Sequence, residues 1–112
     1  MKKVNAAEFR EIVQNHPYVV VKFGANWCGP CRQLSPIIKL AEPNFSQIEF
    51  LEIDIDHELD LSLEFGAKSF PTIVFFSHGE TLKDSNGEIK RLIGIQSVNV
   101  LTKAFESLLA KP

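Results

Sequence analysis

The stretch Tyr18-Val19-Val20-Val21-Lys22-Phe23-Gly24-Ala25-Asn26-Trp27-Cys28-Gly29-Pro30-Cys31, followed by Arg32-Gln33-Leu34-Ser35-Pro36-Ile37-Ile38-Lys39-Leu40-Ala41, decides the fold. Tyr18 to Phe23 is apolar except for Lys22 and does not alternate, the pattern of a strand covered on both faces. After the cysteines, Leu34, Ile37, Ile38 and Ala41 recur at helical spacing. Cys28 therefore falls at or near a helix N-terminus, where unpaired N–H groups and the helix dipole favour a thiolate over a thiol. Cys28 and Cys31 are the only cysteines of the chain. Two intervening residues let them close a small ring, and a Cys-x-x-Cys beside a βαβ pattern reads as a redox pair.

Working outward, Asn5 caps a first helix that carries Ala6, Phe9 and Val13 on one face. Pro36 kinks the second helix and Pro43 ends it. Ile48 to Ile55 reads as a strand, and Glu58 to Phe65 as a short helix closed by Gly66. Thr72 to Phe76 is a third strand and Glu88 to Ile93 a fourth. The turn signals His78-Gly79 and Asn86-Gly87 lie between these two. A final helix carries Val98, Leu101, Phe105, Leu108 and Leu109, and Lys3-Val4 is a candidate short first strand. Strands alternating with helices, then a hairpin and a helix, predict an α/β domain: a mixed sheet of four to five strands flanked by about four helices.

The 112 residues form one expected domain, residues 1–112, and the net charge of −2 offers no basic excess for nucleic acid or acidic lipid. Lys2 and Lys3 imitate the start of a signal peptide, but Glu8, Arg10 and Glu11 interrupt what would be its apolar core. A cytoplasmic location is expected, where a cycling disulfide is more at home than a structural one. Cys-x-x-Cys is also a metal-ligand spacing. A closed zinc site needs four ligands, however, and His16, His57 and His78 are scattered, so no metal is expected.

The segment Trp27-Cys28-Gly29-Pro30-Cys31 resembles the active site of the thioredoxin family letter for letter. Pro36 resembles the proline that kinks that family's active-site helix. Phe70-Pro71-Thr72 resembles the loop whose proline is cis and faces the cysteines, and Gly94 resembles a glycine of the substrate groove. The resemblance implies the thioredoxin fold and a protein disulfide reductase acting by thiol–disulfide exchange. Cys28 would be the nucleophile and Cys31 the buried resolving thiol. Trp27, Gly29, Pro30, Phe70, Pro71 and Gly94 would contact substrate, and Phe70, bulky for its position, would narrow the groove. The resemblance further implies no bound cofactor, with reducing equivalents arriving from NADPH through thioredoxin reductase. Expected partners are that reductase and disulfide-containing proteins, with neither nucleic acid nor membrane, and the expected state is a monomer. The alternatives are a docking or adaptor subunit on the same fold and an isomerase-like variant. The Gly-Pro dipeptide favours the reducing reading.

Two positions depart from the family pattern. At Lys22 the family has a buried Asp, usually facing a lysine on the next strand, and that second position here is Glu52. The exchanged pair is expected to face across the strands as a proton relay, with Glu52 accepting the Cys31 proton and Lys22 keeping Glu52 ionised. At Gly24 the family often has an aromatic residue. Its loss either loosens packing beneath Trp27 or widens access to the thiols. Glu80 to Gly87 reads as surface decoration.

Overall fold

Asn5 opens the first helix with a reciprocal cap: its side chain accepts the Glu8 amide at 2.8 Å, and the Glu8 carboxylate accepts the Asn5 amide at 3.0 Å. The computed structural model describes residues 1–112. Its elements are β1 (Lys2–Lys3), α1 (Ala6–Asn15), β2 (Tyr18–Gly24), α2 (Gly29–Ala41), β3 (Glu49–Asp54), α3 (Leu59–Glu64), β4 (Thr72–Ser77), β5 (Glu80–Thr81), β6 (Arg91–Ile93) and α4 (Val98–Leu109). A short 3₁₀ turn, Glu42–Asn44, follows α2 and contains Pro43, so the α-helix does end where the proline requires.

The sheet runs β1-β3-β2-β4, with β5 and β6 both on the outer edge of β4. β2 is central: it pairs in parallel with β3, placing Lys22 opposite Glu52, and antiparallel with β4, placing Lys22 opposite Ile73. Alternation along β2 sends Val19, Val21 and Phe23 into one core with Phe9, Val13 and Leu61. Val20 enters the other core with Leu34, Ile38, Leu101 and Phe105. Both faces of β2 are thus covered, which is why its apolar run does not alternate. Lys22 shares the parity of Val20 and points toward α2.

The outer edge corrects the bounds of the expected fourth strand. Only Arg91–Ile93 of the Glu88–Ile93 segment is strand, and the sheet has six strands because its edge is interrupted. His78-Gly79, both with positive φ, make the tight β4–β5 turn. The chain stays in register until the Leu82 amide bonds the Phe75 carbonyl at 2.9 Å. It then leaves the edge and folds a turn in which the Asp84 carboxylate accepts the Asn86 and Glu88 amides. It rejoins where the Lys90 amide meets the Leu82 carbonyl at 2.8 Å, and Arg91 resumes opposite Val74. β5 and β6 are one edge strand split by this excursion.

Phe105 of α4 holds the second core together, its ring centroid 5.1 Å from that of Phe50, 5.4 Å from Phe45 and 6.4 Å from Phe75. Phe105→Ala is therefore expected to lower stability by about 3–5 kcal/mol, measured by urea denaturation.

Candidate active site

Cys28 is the N-cap of α2. Its backbone is extended, and its sulfur accepts the Cys31 amide at 3.2 Å, a place usually taken by a Ser or Asp oxygen. Pro30 sits in the first turn, where its missing N–H leaves no bond unmade. The first turn holds no acidic residue to oppose negative charge on that sulfur. The two cysteines are joined as a disulfide with their Cα atoms 5.2 Å apart. Cys28 is 6% exposed and Cys31 2%, so the sulfur nearer solvent is the one at the cap.

The Phe70–Pro71 peptide is cis, and the Phe70 carbonyl oxygen lies 3.7 Å from Cys28 Sγ. Neither the amide nor the carbonyl of Phe70 bonds another main-chain group. The Pro71 carbonyl, by contrast, accepts the Gly94 amide at 2.8 Å, which fixes the end of β6 beside the cysteines. Gly94 has φ +85°, the left-handed region that glycine occupies without cost. Trp27 is 64% exposed at the rim, with its indole N–H donated to both oxygens of Asp56 at 3.0 and 3.1 Å. The structure therefore gathers Trp27, Cys28, Gly29, Pro30, Cys31, Phe70, Pro71 and Gly94 at one place.

Beneath the cysteines, Lys22 is only 3% exposed. Its Nζ donates to Ser35 Oγ at 2.5 Å and to the Cys31 carbonyl at 3.3 Å, and lies 3.7 Å from Glu52 Oε2. Glu52 keeps a quarter of its side chain in solvent and also has Lys3 Nζ at 4.0 Å. Burial pushes the Lys22 ammonium below the ordinary lysine value, and the Glu52 charge offsets only part of that. A hollow of about 50 Å³ is shared by Lys22, Gly24, Cys31, Ser35 and Glu52, and opens between Lys3, Asn26 and Asp54. The Asp54 carboxyl at that mouth sits below its usual range: burial opposes this but is outweighed by the Asp56 amide and His57.

Gly24 is one of the residues that line the hollow. A Cβ there would lie 2.9 Å from Cys31 Sγ and 3.4 Å from Lys22 Cε, so the Gly24 backbone packs directly against the buried sulfur and a side chain in that direction needs a shift. Ser35 and Asp56 went unrecognised in the sequence. Ser35 stands four residues after Cys31, one turn along the same face of α2, which is a usable signal. Asp56 lies in the β3–α3 loop and has none. No group of three or more His, Cys, Asp or Glu side chains is placed to hold a metal ion.

Gly24→Ala is expected to cost about 1–3 kcal/mol by overpacking against Cys31, seen as an earlier urea midpoint in the oxidised protein. Lys22 makes stability depend on pH. Between its lowered folded value and the ordinary 10.5, the unfolded chain holds the proton that the folded chain has released. This residue's contribution therefore rises with pH across that window. The stability of oxidised wild type relative to Lys22→Met is expected to improve from neutral pH toward pH 10.5, followed by urea titrations at each pH.

The family model described as Thioredoxin matches residues 1–98. The chain is 34% identical over 83 residues to Thioredoxin-2 of Pyricularia oryzae, covering 74% of this chain and 48% of that protein. It is 36% identical over 86 residues to Thioredoxin H2 of Arabidopsis thaliana, covering 77% of this chain and 59% of that one. The chain thus spans about half to three fifths of these two relatives. Mitochondrial Thioredoxin 3 from Saccharomyces cerevisiae, solved in its oxidised form, superposes with a TM-score of 0.83 at 26% identity, over 96% of this chain and 95% of that one. With that family model covering most of its length and relatives of that name 34% and 36% identical, the chain belongs to the thioredoxin family.

Proposed function

We propose that this chain is a protein disulfide reductase working by thiol–disulfide exchange. Cys28, as thiolate, attacks one sulfur of a substrate disulfide, and the other substrate sulfur leaves with the electron pair and takes a proton. Cys31 then attacks Cys28 Sγ. The Cys28–Cys31 bond forms, the Cys28–substrate bond breaks, and the second substrate thiolate is released. The observation that carries this reading is the position of Cys28 Sγ. It accepts an amide of the first turn of α2 while lying against a Phe70 main chain that has no backbone partner of its own. The cap favours the thiolate, and the open amide and carbonyl of Phe70 suit an extended segment of substrate.

Recognition through main-chain groups fits a broad set of disulfide-containing proteins. The reading extends to NADPH and a thioredoxin reductase as the source of electrons, to a cytoplasmic site of action and to a monomer. A dithiol that must be re-reduced after each turnover calls for such a source and for a reducing compartment.

Reduction of insulin disulfides by dithiothreitol tests the activity. Wild type is expected to accelerate it, and Cys28→Ser to remove the acceleration. Cys31→Ser is expected to accumulate a mixed disulfide through Cys28, visible by mass spectrometry. A wild type that leaves the reaction unaccelerated would overturn the reading in favour of a docking subunit.

A further inference from the structure

A lysine buried against a redox cysteine is the feature that disulfide exchange at Cys28 leaves unused. We propose that the Lys22 ammonium, seated at the hollow lined by Gly24 and Cys31, readies Cys31 as the resolving thiolate, with Glu52 acting as its counter-charge rather than as the acceptor of the Cys31 proton. The inference rests on the reductase reading and assigns Lys22 as a positioning residue for its second step.

Three observations carry it. First, the two side chains converge on Gly24: a Cβ there would lie 2.9 Å from Cys31 Sγ and 3.4 Å from Lys22 Cε, and both residues line the same hollow. Second, the partners of Nζ suit an ammonium. The Ser35 hydroxyl donates to the Cys31 carbonyl at 3.2 Å, which leaves its oxygen to accept from Nζ. The Cys31 carbonyl and the Glu52 carboxylate, also acceptors, lie on the other sides. An ammonium has three N–H donors and no lone pair, and here it meets acceptors alone. Third, Glu52 is already engaged as an anion by two lysines. Protonating Glu52 would forfeit its ion pairs to both Lys22 and Lys3.

The charged groups around the hollow are Lys22 from β2, Glu52 and Asp54 from β3, Lys3 from β1 and Arg32 from α2 itself. Cations outnumber anions, and the Lys22 ammonium is held by the backbone carbonyl of Cys31. In the mixed disulfide, the Cys31 thiol gives its proton to solvent through the hollow, whose volume exceeds the roughly 10–15 Å³ needed to admit one water molecule. The thiolate then attacks Cys28 Sγ. The new Cys28–Cys31 bond replaces the bond from Cys28 to substrate, and the substrate sulfur leaves with the electron pair and takes a proton from solvent.

In a Cys28→Ser chain, Cys31 is the sole thiol, so thiolate absorbance at 240 nm reads its titration alone and needs no substrate. Adding Lys22→Met is expected to raise the Cys31 pKa by about one unit, given a unit charge bonded to that residue's own carbonyl and partly offset by Glu52. Adding Lys22→Arg instead, which keeps the charge, is expected to restore most of that shift. In the Cys28-containing protein, Lys22→Met is expected to slow release of substrate from the mixed disulfide about tenfold at neutral pH. Should Lys22→Met fail to fold, the ¹³Cε resonance of Lys22 in Cys28→Ser serves: it is expected to step at the pH where Cys31 titrates. An unmoved Cys31 pKa in Lys22→Met, or a Lys22 resonance blind to Cys31, would overturn the inference. So would a Glu52→Gln chain that slows release while Lys22→Met does not, which would make Glu52 the base. Failure of the reductase reading shows separately, as unreduced insulin with the Cys31 titration still sensitive to Lys22.

Discussion

Strand β2 is hydrogen-bonded along both edges and covered on both faces, and the site hangs from its C-terminal end. A strand so enclosed tolerates polar groups poorly, because any charge on it must find partners within the protein. That constraint fixes the surroundings of Lys22. Its stem lies beneath α2, and its ammonium reaches the nearest acceptors there, Ser35 Oγ and the Cys31 carbonyl, with Glu52 beside it on β3. The same rigidity fixes Cys28. β2 ends at Gly24, the Cys28 amide bonds the Ala25 carbonyl, and α2 starts at once. Little slack remains between the sheet and the sulfur.

Capping by a sulfur joins local structure to chemistry. An N-cap side chain serves because it accepts from an amide left open by the helix. When that side chain is a cysteine, the interaction strengthens as the sulfur becomes negative, so the start of α2 favours the nucleophilic form of Cys28. Pro30 and the absence of acidic groups in the first turn leave this bias unopposed. On the other side of Cys28, the Pro71 carbonyl is tied to Gly94 while the neighbouring Phe70 main chain is not tied to backbone at all. The loop is held in place, yet its first peptide group faces outward with bonds to give.

Most of this was legible in the sequence because it is written in short-range rules. The Tyr18–Phe23 run, the Asn5 cap, the glycine and proline punctuation and the spacing of the cysteines each depend on a few neighbouring residues. Lys22 opposite Glu52 was legible as well, since strand parity and register carry over from one parallel strand to the next. The split outer strand was not. Glu88 to Ile93 reads as strand but Glu80 to Gly87 as surface decoration, and only pairing with β4 shows that Leu82 and Lys90 meet across the base of an excursion. Asp56 beneath the Trp27 indole was silent for the same reason: the contact joins two loops 29 residues apart, with no periodicity to announce it. The hollow under Cys31 lies between these cases. Gly24 marked the position, but what a side chain there would strike is set by α2 crossing above it.

The stability of the fold does not explain why a lysine occupies the middle of β2. A methionine has nearly the same length and needs no partners, and exchanging buried ionic groups for apolar ones is often neutral or stabilising by about 1–4 kcal/mol. Nor is Lys22 required to satisfy Glu52, which is partly solvated and has Lys3 nearby. What methionine cannot do is hold a positive charge at the backbone of Cys31, the more buried of the two cysteines. The bare backbone of Gly24 is a packing requirement, since a Cβ there would lie 2.9 Å from Cys31 Sγ. Lys22 is the residue for which packing gives no reason, and the proposed electrostatic role at Cys31 supplies one.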